Sequence, residues 1–332
     1  MEEPNDQGTP NATKPDVMAR SRRWIAITVA LSVLGWLVYA LFRGFSETAD
    51  ELYSFRWGLY IPVLLLTLLN YSLRCFKWHY LLGRLGIHIP LKTNIGIFIT
   101  GLAMVISPAK AGEVVKPYLV RVITGEPMSK TIPALVTERA TDAIAVLILA
   151  TIGISSYHAE GIRMILFASS LIAAALLIIA VKPLAMACIG LVRHLSNTVA
   201  DRLETAYLAT RSCVAPVPFF VTISVSLVAW WAECVGYWLV FKGLNVEVSL
   251  SLSTFLYSFA TVFGAPMPGG LGMADAALVE GPLQLVDGLT SGQALAASML
   301  IRLATLWFGV ILGAIALLRI DALLASGQQK SG

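Results

Sequence analysis

Five charged residues stand inside otherwise apolar stretches. Glu138, Arg139 and Asp142 lie near the start of residues 133–157, Glu233 lies in 217–241, and Arg302 lies in 292–318. Arg139 precedes Asp142 by three residues, one helical turn, which puts the two within reach of each other. Arg302 has no acid within a turn on its own helix. Its partner must come from elsewhere, from Asp275, from Glu280 or from a bound anion. Arginine carries a planar fork of donors that fits a phosphate. Two further sites carry exposed backbone donors. Helices restarting just after Gly112 and Gly272 would offer free N–H groups and a positive dipole end to an anion. Glu113 and Asp275, at those restarts, suit three roles: capping the helix, carrying a proton, or pairing with an arginine. The pattern points to anion binding rather than to bond-breaking chemistry. His79, His88, His158 and His194 are dispersed, and neither HExxH nor GxSxG occurs, so no metal, cofactor or enzymatic activity is expected.

These residues need a membrane to position them. The chain has 332 residues, 57% hydrophobic and 13% charged, with mean hydropathy +0.76. A soluble domain carries about 25% charged residues. An all-α polytopic membrane protein follows. The net charge of +4 comes without a free basic run, which argues against nucleic acid as a partner. Cys75, Cys188, Cys213 and Cys234 show no CxxC spacing and read as small apolar packing residues. Six stretches reach the length of a span, about 20 residues: 24–42, 57–76, 133–157, 163–182, 217–241 and 292–318. Residues 1–23 read as a polar cytoplasmic tail, 24–320 as one transmembrane domain, and 321–332 as a short cytoplasmic tail.

Two more apolar stretches end in helix-breaking sequence. Residues 93–107 run into Ser107-Pro108-Ala109-Lys110-Ala111-Gly112-Glu113. Residues 250–267 run into Pro266-Met267-Pro268-Gly269-Gly270-Leu271-Gly272. Read as re-entrant pairs, they leave 18 of the 24 basic residues on one side. These fall before residue 24, in 74–92, 110–130 and 182–211, and from 319 onward. The positive-inside rule then puts both termini in the cytoplasm. On this reading Arg74, Lys77 and Trp78 end the second span as cytoplasmic interface anchors. The alternative is contact with anionic lipid headgroups.

The two broken segments read as copies. Each has an apolar stretch, a break, an acid (Glu113, Asp275), a short helix, and then a span with a buried arginine (Arg139, Arg302). Pro108 to Arg139 is 31 residues and Pro268 to Arg302 is 34. One enters from each side, which is an inverted repeat, and broken helices at matching places point to a midplane site. Charges inside a membrane cost about 2.5–3.5 kcal/mol each, so such residues are functional candidates by default.

At these residues the chain resembles the flippase-like transmembrane family. This is the membrane region of lysylphosphatidylglycerol synthases together with stand-alone relatives, some tied to hopanoid and archaeal glycolipid pathways. The resemblance rests on Leu73-Arg74…Lys77-Trp78…Leu81-Leu82, Pro108–Glu113, Glu138-Arg139…Asp142, Pro268–Gly272 and Arg302. The family usually carries arginine where Lys110 stands and glutamate where Asp275 stands. The resemblance implies translocation or handling of a phospholipid, polyprenyl phosphate or hopanoid in the cytoplasmic membrane, with a lipid-biosynthesis enzyme as a further partner. The chain ends soon after its last span, so the aminoacyl-transferase part of the bifunctional synthases is expected to be absent. The expected path for a headgroup runs between the broken pairs, near Arg139 and Arg302, with Lys110, Gly112, Glu113, Glu138, Asp142, Gly269, Gly270, Gly272 and Asp275 around it. A water-soluble solute is the rival cargo. A membrane partner or enzyme in glycolipid or hopanoid biosynthesis is the rival role.

Overall fold

The computed structural model describes residues 45–107, 112–154 and 215–319, with isolated positions at 186, 190, 193 and 204. The expected spans at 24–42 and 163–182, and Pro108 to Ala111 with Lys110 among them, lie outside the described residues. Within them the chain is α-helical, without strands. The elements are α1 (Phe45–Ser54), α2 (Tyr60–Arg84), α3 (Leu91–Ala103), α4 (Val115–Thr124), α5 (Met128–Ile154), α6 (Pro216–Gly243), α7 (Leu250–Phe263), α8 (Met273–Leu285), α9 (Ser291–Arg302) and α10 (Phe308–Leu318).

Three helical segments among the described residues are long and apolar enough to cross a membrane: Trp57–Arg84, Pro216–Gly243 and Ser291–Leu318. The 28 residues of α6 measure about 42 Å, more than the roughly 30 Å of a hydrocarbon core. Helix α5 is nearly as long, at 27 residues, and carries Glu138, Arg139 and Asp142 near its middle. Helix α2 runs eight residues past the expected end of its span, and α5 starts five residues earlier than expected. Charge ended the sequence reading of α2 at residue 76. In the fold that charge turns inward and the helix continues.

The segment Ser291–Leu318 is interrupted by a π-helical turn, Leu303–Trp307, that follows Arg302 directly. A π turn displaces backbone carbonyls from their α-helical partners. Tyr71 of α2 meets this one, its hydroxyl donating to the Thr305 carbonyl at 2.7 Å. Asn70, one residue earlier, donates to the Ala229 carbonyl of α6 at 2.9 Å. These bonds fix α2 between α6 and the last span.

Both break-containing stretches form helix–break–helix pairs whose arms pack on each other, α3 with α4 and α7 with α8. The longest arm, α7, has 14 residues and measures about 21 Å, too short to cross a hydrocarbon core. The turns that end the first arms meet at the centre, Met104–Ile106 against Pro268–Gly270. A Cβ on Gly269 would stand 3.2 Å from Ile106 Cγ2, so the approach is tight.

Large apolar side chains remain exposed along the outer faces: Ile61, Leu65 and Phe76 on α2, Val217, Phe220 and Trp231 on α6, and Ile311 and Ile315 on α10. Continuous apolar stripes of this kind suit lipid, not water. Inside, small residues bring helices together, as is usual in membranes. Gly313 of α10 lies on the backbone of α3, and a Cβ there would run into the Ala103 amide and the Ile99 carbonyl. Gly313→Ala is therefore expected to destabilise the protein by about 1–3 kcal/mol, the usual range for overpacking. A thermal-unfolding series in detergent with Gly58→Ala, at an open position, as control checks this.

Candidate functional site

The charged face of α2 meets the charged face of α5. Residues 74, 77 and 78 repeat at helical spacing and point into the bundle, and Trp78 is fully buried. Lys77 pairs with Asp142, donates to Ser226 Oγ at 2.7 Å and to the Glu138 carbonyl at 3.2 Å. Ser226 donates to Asp142 Oδ1 at 3.0 Å, so α6 closes the triangle. Lys116 of α4 pairs with Glu138 Oε2 at 2.6 Å, its ammonium 4.5 Å from the Trp78 ring centre. Arg139 pairs with Glu138, with Glu113 Oε2 at 3.3 Å and with Asp142 Oδ2 at 3.3 Å.

The expected interface anchors are thus corrected. Arg74, Lys77 and Trp78 are interior, and the physical reason is compensation. Two acids on α5 let α2 turn its cations inward, where an isolated lysine would be too costly.

A second, smaller constellation sits at the other break. Gly269, Gly270 and Gly272 have φ of 58°, 73° and 82°, the left-handed region that side-chain-bearing residues avoid. The bend aims the Gly269 carbonyl at Arg302, which donates to it at 2.7 Å. Arg302 Nε lies 2.7 Å from Asp275 Oδ1, while Asp275 Oδ2 accepts from the Gly272 amide at 2.8 Å. Asp275 therefore both caps α8 and holds the arginine, and Asp275 is the partner that Arg302 finds off its own helix. Glu113 takes the matching place in the first copy, against Arg139.

Between the two breaks lies a cavity of about 100 Å³, room for several waters or one small polar group. Leu102 and Val105 come from the first broken pair; Gly264, Gly269, Gly270 and Ala274 come from the second. The polar lining is Arg74 and Tyr71 from α2, Glu233 from α6, Tyr257 and Thr261 from α7, Arg302 from α9 and Thr305 from the π turn. Glu233 is 4% exposed, and its Oε2 accepts from the Tyr257 hydroxyl at 2.6 Å. The Arg74 guanidinium lies 5.5 Å from the Trp230 ring centre, and its Nε is 3.7 Å from Asp142.

The structure brings Arg302, Gly269 and Gly270 to the cavity wall, with Gly272 and Asp275 behind them. It does not bring Arg139 there. Glu138, Asp142 and Glu113 draw that arginine into the neighbouring ion-pair network, and Arg74 is the cavity's second guanidinium. Gly112, next to Glu113, accepts no cavity role either; its amide donates to Ser107 Oγ at 2.7 Å. Sequence reasoning missed Lys116 and Tyr257. Lys116 carried a readable signal, a cation three residues after Glu113 on a short helix. Tyr257 carried none, because its partner lies 24 residues away on another helix.

Among the described residues, five cations and five acids thus share the interior around the breaks: Arg74, Lys77, Lys116, Arg139 and Arg302 against Glu113, Glu138, Asp142, Glu233 and Asp275. Matched one to one, four pairs are in contact, Lys77–Asp142, Lys116–Glu138, Arg139–Glu113 and Arg302–Asp275, while Arg139 also touches Glu138 and Asp142 and Arg74 lies 3.7 Å from Asp142. Arg74 and Glu233 face the cavity without a contact between them.

A family model described as the lysylphosphatidylglycerol synthase TM region matches residues 23–313. A relative named UPF0104 membrane protein, from Methanothermobacter thermautotrophicus, is 25% identical over 313 residues. The match covers 86% of this chain and 90% of that relative.

Proposed function

The chain belongs to the lysylphosphatidylglycerol synthase TM-region family, and from that membership we propose that it moves an anionic lipid between the leaflets of the cytoplasmic membrane. The headgroup phosphate sits in the cavity between the two breaks while the acyl chains stay in lipid. The two helix–break–helix pairs act as re-entrant elements of an inverted repeat. Both termini face the cytoplasm, and the chain acts as a carrier rather than as an enzyme.

One observation carries this reading. Two guanidinium groups, Arg74 and Arg302, line a small cavity where irregular backbone from two broken helices meets. Irregular backbone at membrane depth is tolerated where it is buried or lines a polar cavity. Arginine pairs suit phosphate by charge and by fork geometry. The apolar outer faces leave the rest of a lipid in its own solvent.

Leaflet exposure in proteoliposomes tests it. A short-chain fluorescent phosphatidylglycerol, placed in the inner leaflet, is expected to reach an outer-leaflet quencher faster with the protein than without it. Polyprenyl phosphate and hopanoid in the same vesicles rank the lipid classes. Equal rates for every lipid with and without the protein would end the proposal.

A further inference from the structure

Resting on the lipid reading above, we infer that the cavity takes a singly charged phosphodiester headgroup together with one proton, which Glu233 carries. Among the described residues, every interior acid near the breaks touches a cation except Glu233. Every interior cation there has an acid of its own except Arg74. Its nearest acid, Asp142 at 3.7 Å, is already engaged by Lys77. No protein acceptor among the described residues takes a hydrogen bond from the Arg74 guanidinium. Arg74 and Glu233 are the unmatched pair, and both face the same cavity.

That pair has two neutral arrangements. In one, Glu233 is ionised and balances Arg74 across the cavity. In the other, Glu233 holds a proton and a monoanion occupies Arg74. A phosphate entering beside an ionised Glu233 would put two negative charges in one low-dielectric pocket, which is disfavoured. The anion therefore arrives with a proton taken up from water, and it leaves when the proton leaves. A phosphodiester, with one charge, matches the single surplus cation among the described residues. A doubly ionised phosphomonoester does not.

The groups facing Glu233 are consistent with a single exchangeable proton. Tyr71 and Arg74 face it from α2, Tyr257 from α7 and Arg302 from α9, while Asp142 of α5 acts from behind Arg74. The turn at Trp57–Leu59, also packed on α6, contributes no titratable group. Tyr257 donates to one oxygen of Glu233, which leaves the other to release and accept the proton.

The test uses the full chain in detergent. The probes are dioctanoyl phosphatidylglycerol, dioctanoyl phosphatidate, dioctanoylglycerol and free glycerophosphoglycerol. Binding is followed by tryptophan fluorescence, with Trp230 beside Arg74 as the reporter. Phosphatidylglycerol affinity is expected to fall by up to about tenfold per pH unit above a single midpoint. Glu233→Gln, neutral at all pH, is expected to bind phosphatidylglycerol with the affinity of the acid form throughout, and to bind phosphatidate more weakly once that headgroup is doubly ionised. Tyr257→Phe keeps the carboxylate and loses the hydroxyl, and is expected to move the midpoint without abolishing binding. Phosphatidylglycerol binding that is flat with pH in the unmodified chain and in Tyr257→Phe overturns the proton coupling and leaves the lipid reading standing. Glycerophosphoglycerol binding as tightly as the lipid overturns the lipid reading in favour of a soluble phosphodiester. Phosphatidylglycerol binding no tighter than dioctanoylglycerol at any pH overturns both.

Discussion

Asp142→Ala is expected to destabilise the protein by about 3–5 kcal/mol, the range for removing one member of a buried ion pair. Asp142 is the hub of the network. It takes Lys77 directly, Ser226 at 3.0 Å, Arg139 at 3.3 Å and Arg74 at 3.7 Å. Without it the Lys77 ammonium, fully buried, keeps only neutral acceptors. A buried cation left unpaired is costlier than the pair itself is stabilising. The double variant Lys77→Met/Asp142→Ala removes both charges and is expected to recover a large part of the loss. Denaturant titration in mixed micelles reads both numbers. A loss below about 1 kcal/mol for the single variant is the range of exposed pairs and would mean that the pair is solvated. The network also joins α2, α4, α5 and α6, so its loss should loosen the first broken pair before the second.

Arg302→Gln is expected to lower lipid movement by about 30-fold or more while leaving the protein folded. Truncating one partner of a buried, hydrogen-bonded charge pair costs about 2–5 kcal/mol in binding. The structural cost is smaller here than at Asp142. Asp275 keeps its other oxygen on the Gly272 amide and still caps α8, and glutamine retains a donor for the Gly269 carbonyl. What glutamine lacks is the charge offered to a phosphate. Lysine at the same place keeps the charge and loses the fork, and is expected to fall between the two. Movement unchanged in Arg302→Gln, at equal protein per vesicle, would reduce this arginine to a brace for the second break.

The pairing of Arg302 with Asp275 was within reach of the sequence, because a lone arginine in an apolar helix demands an acid and few acids are available. The two breaks were readable for the same reason, as proline and glycine clusters end helices regardless of what surrounds them. The cavity's second arginine was not readable. Hydropathy counts charge and ignores direction, so Arg74 and Lys77 ended a span on paper. In the fold their acid, Asp142, comes from a helix 65 residues away. The internal repeat also misled at one point. It places Arg139 opposite Arg302, and the two do hold matching acids, Glu113 and Asp275. Only the first copy adds Glu138 and Asp142, and those two acids draw its arginine away from the centre. The symmetry of the sequence is thus broken by two carboxylates, and α2 supplies the missing guanidinium.

The chain's family is that of a lipid synthase's membrane region, and the proposed cargo is a lipid that carries a phosphate. Both meet in one measurable thing, the position of a lipid phosphate. Cryo-electron microscopy of the protein in nanodiscs containing phosphatidylglycerol, at mildly acidic pH, tests this most directly. Phosphate density is expected between the guanidinium groups of Arg74 and Arg302, with acyl chains leaving sideways along the apolar outer faces. Lipid density confined to those outer faces, with only water between the two arginines, would contradict it.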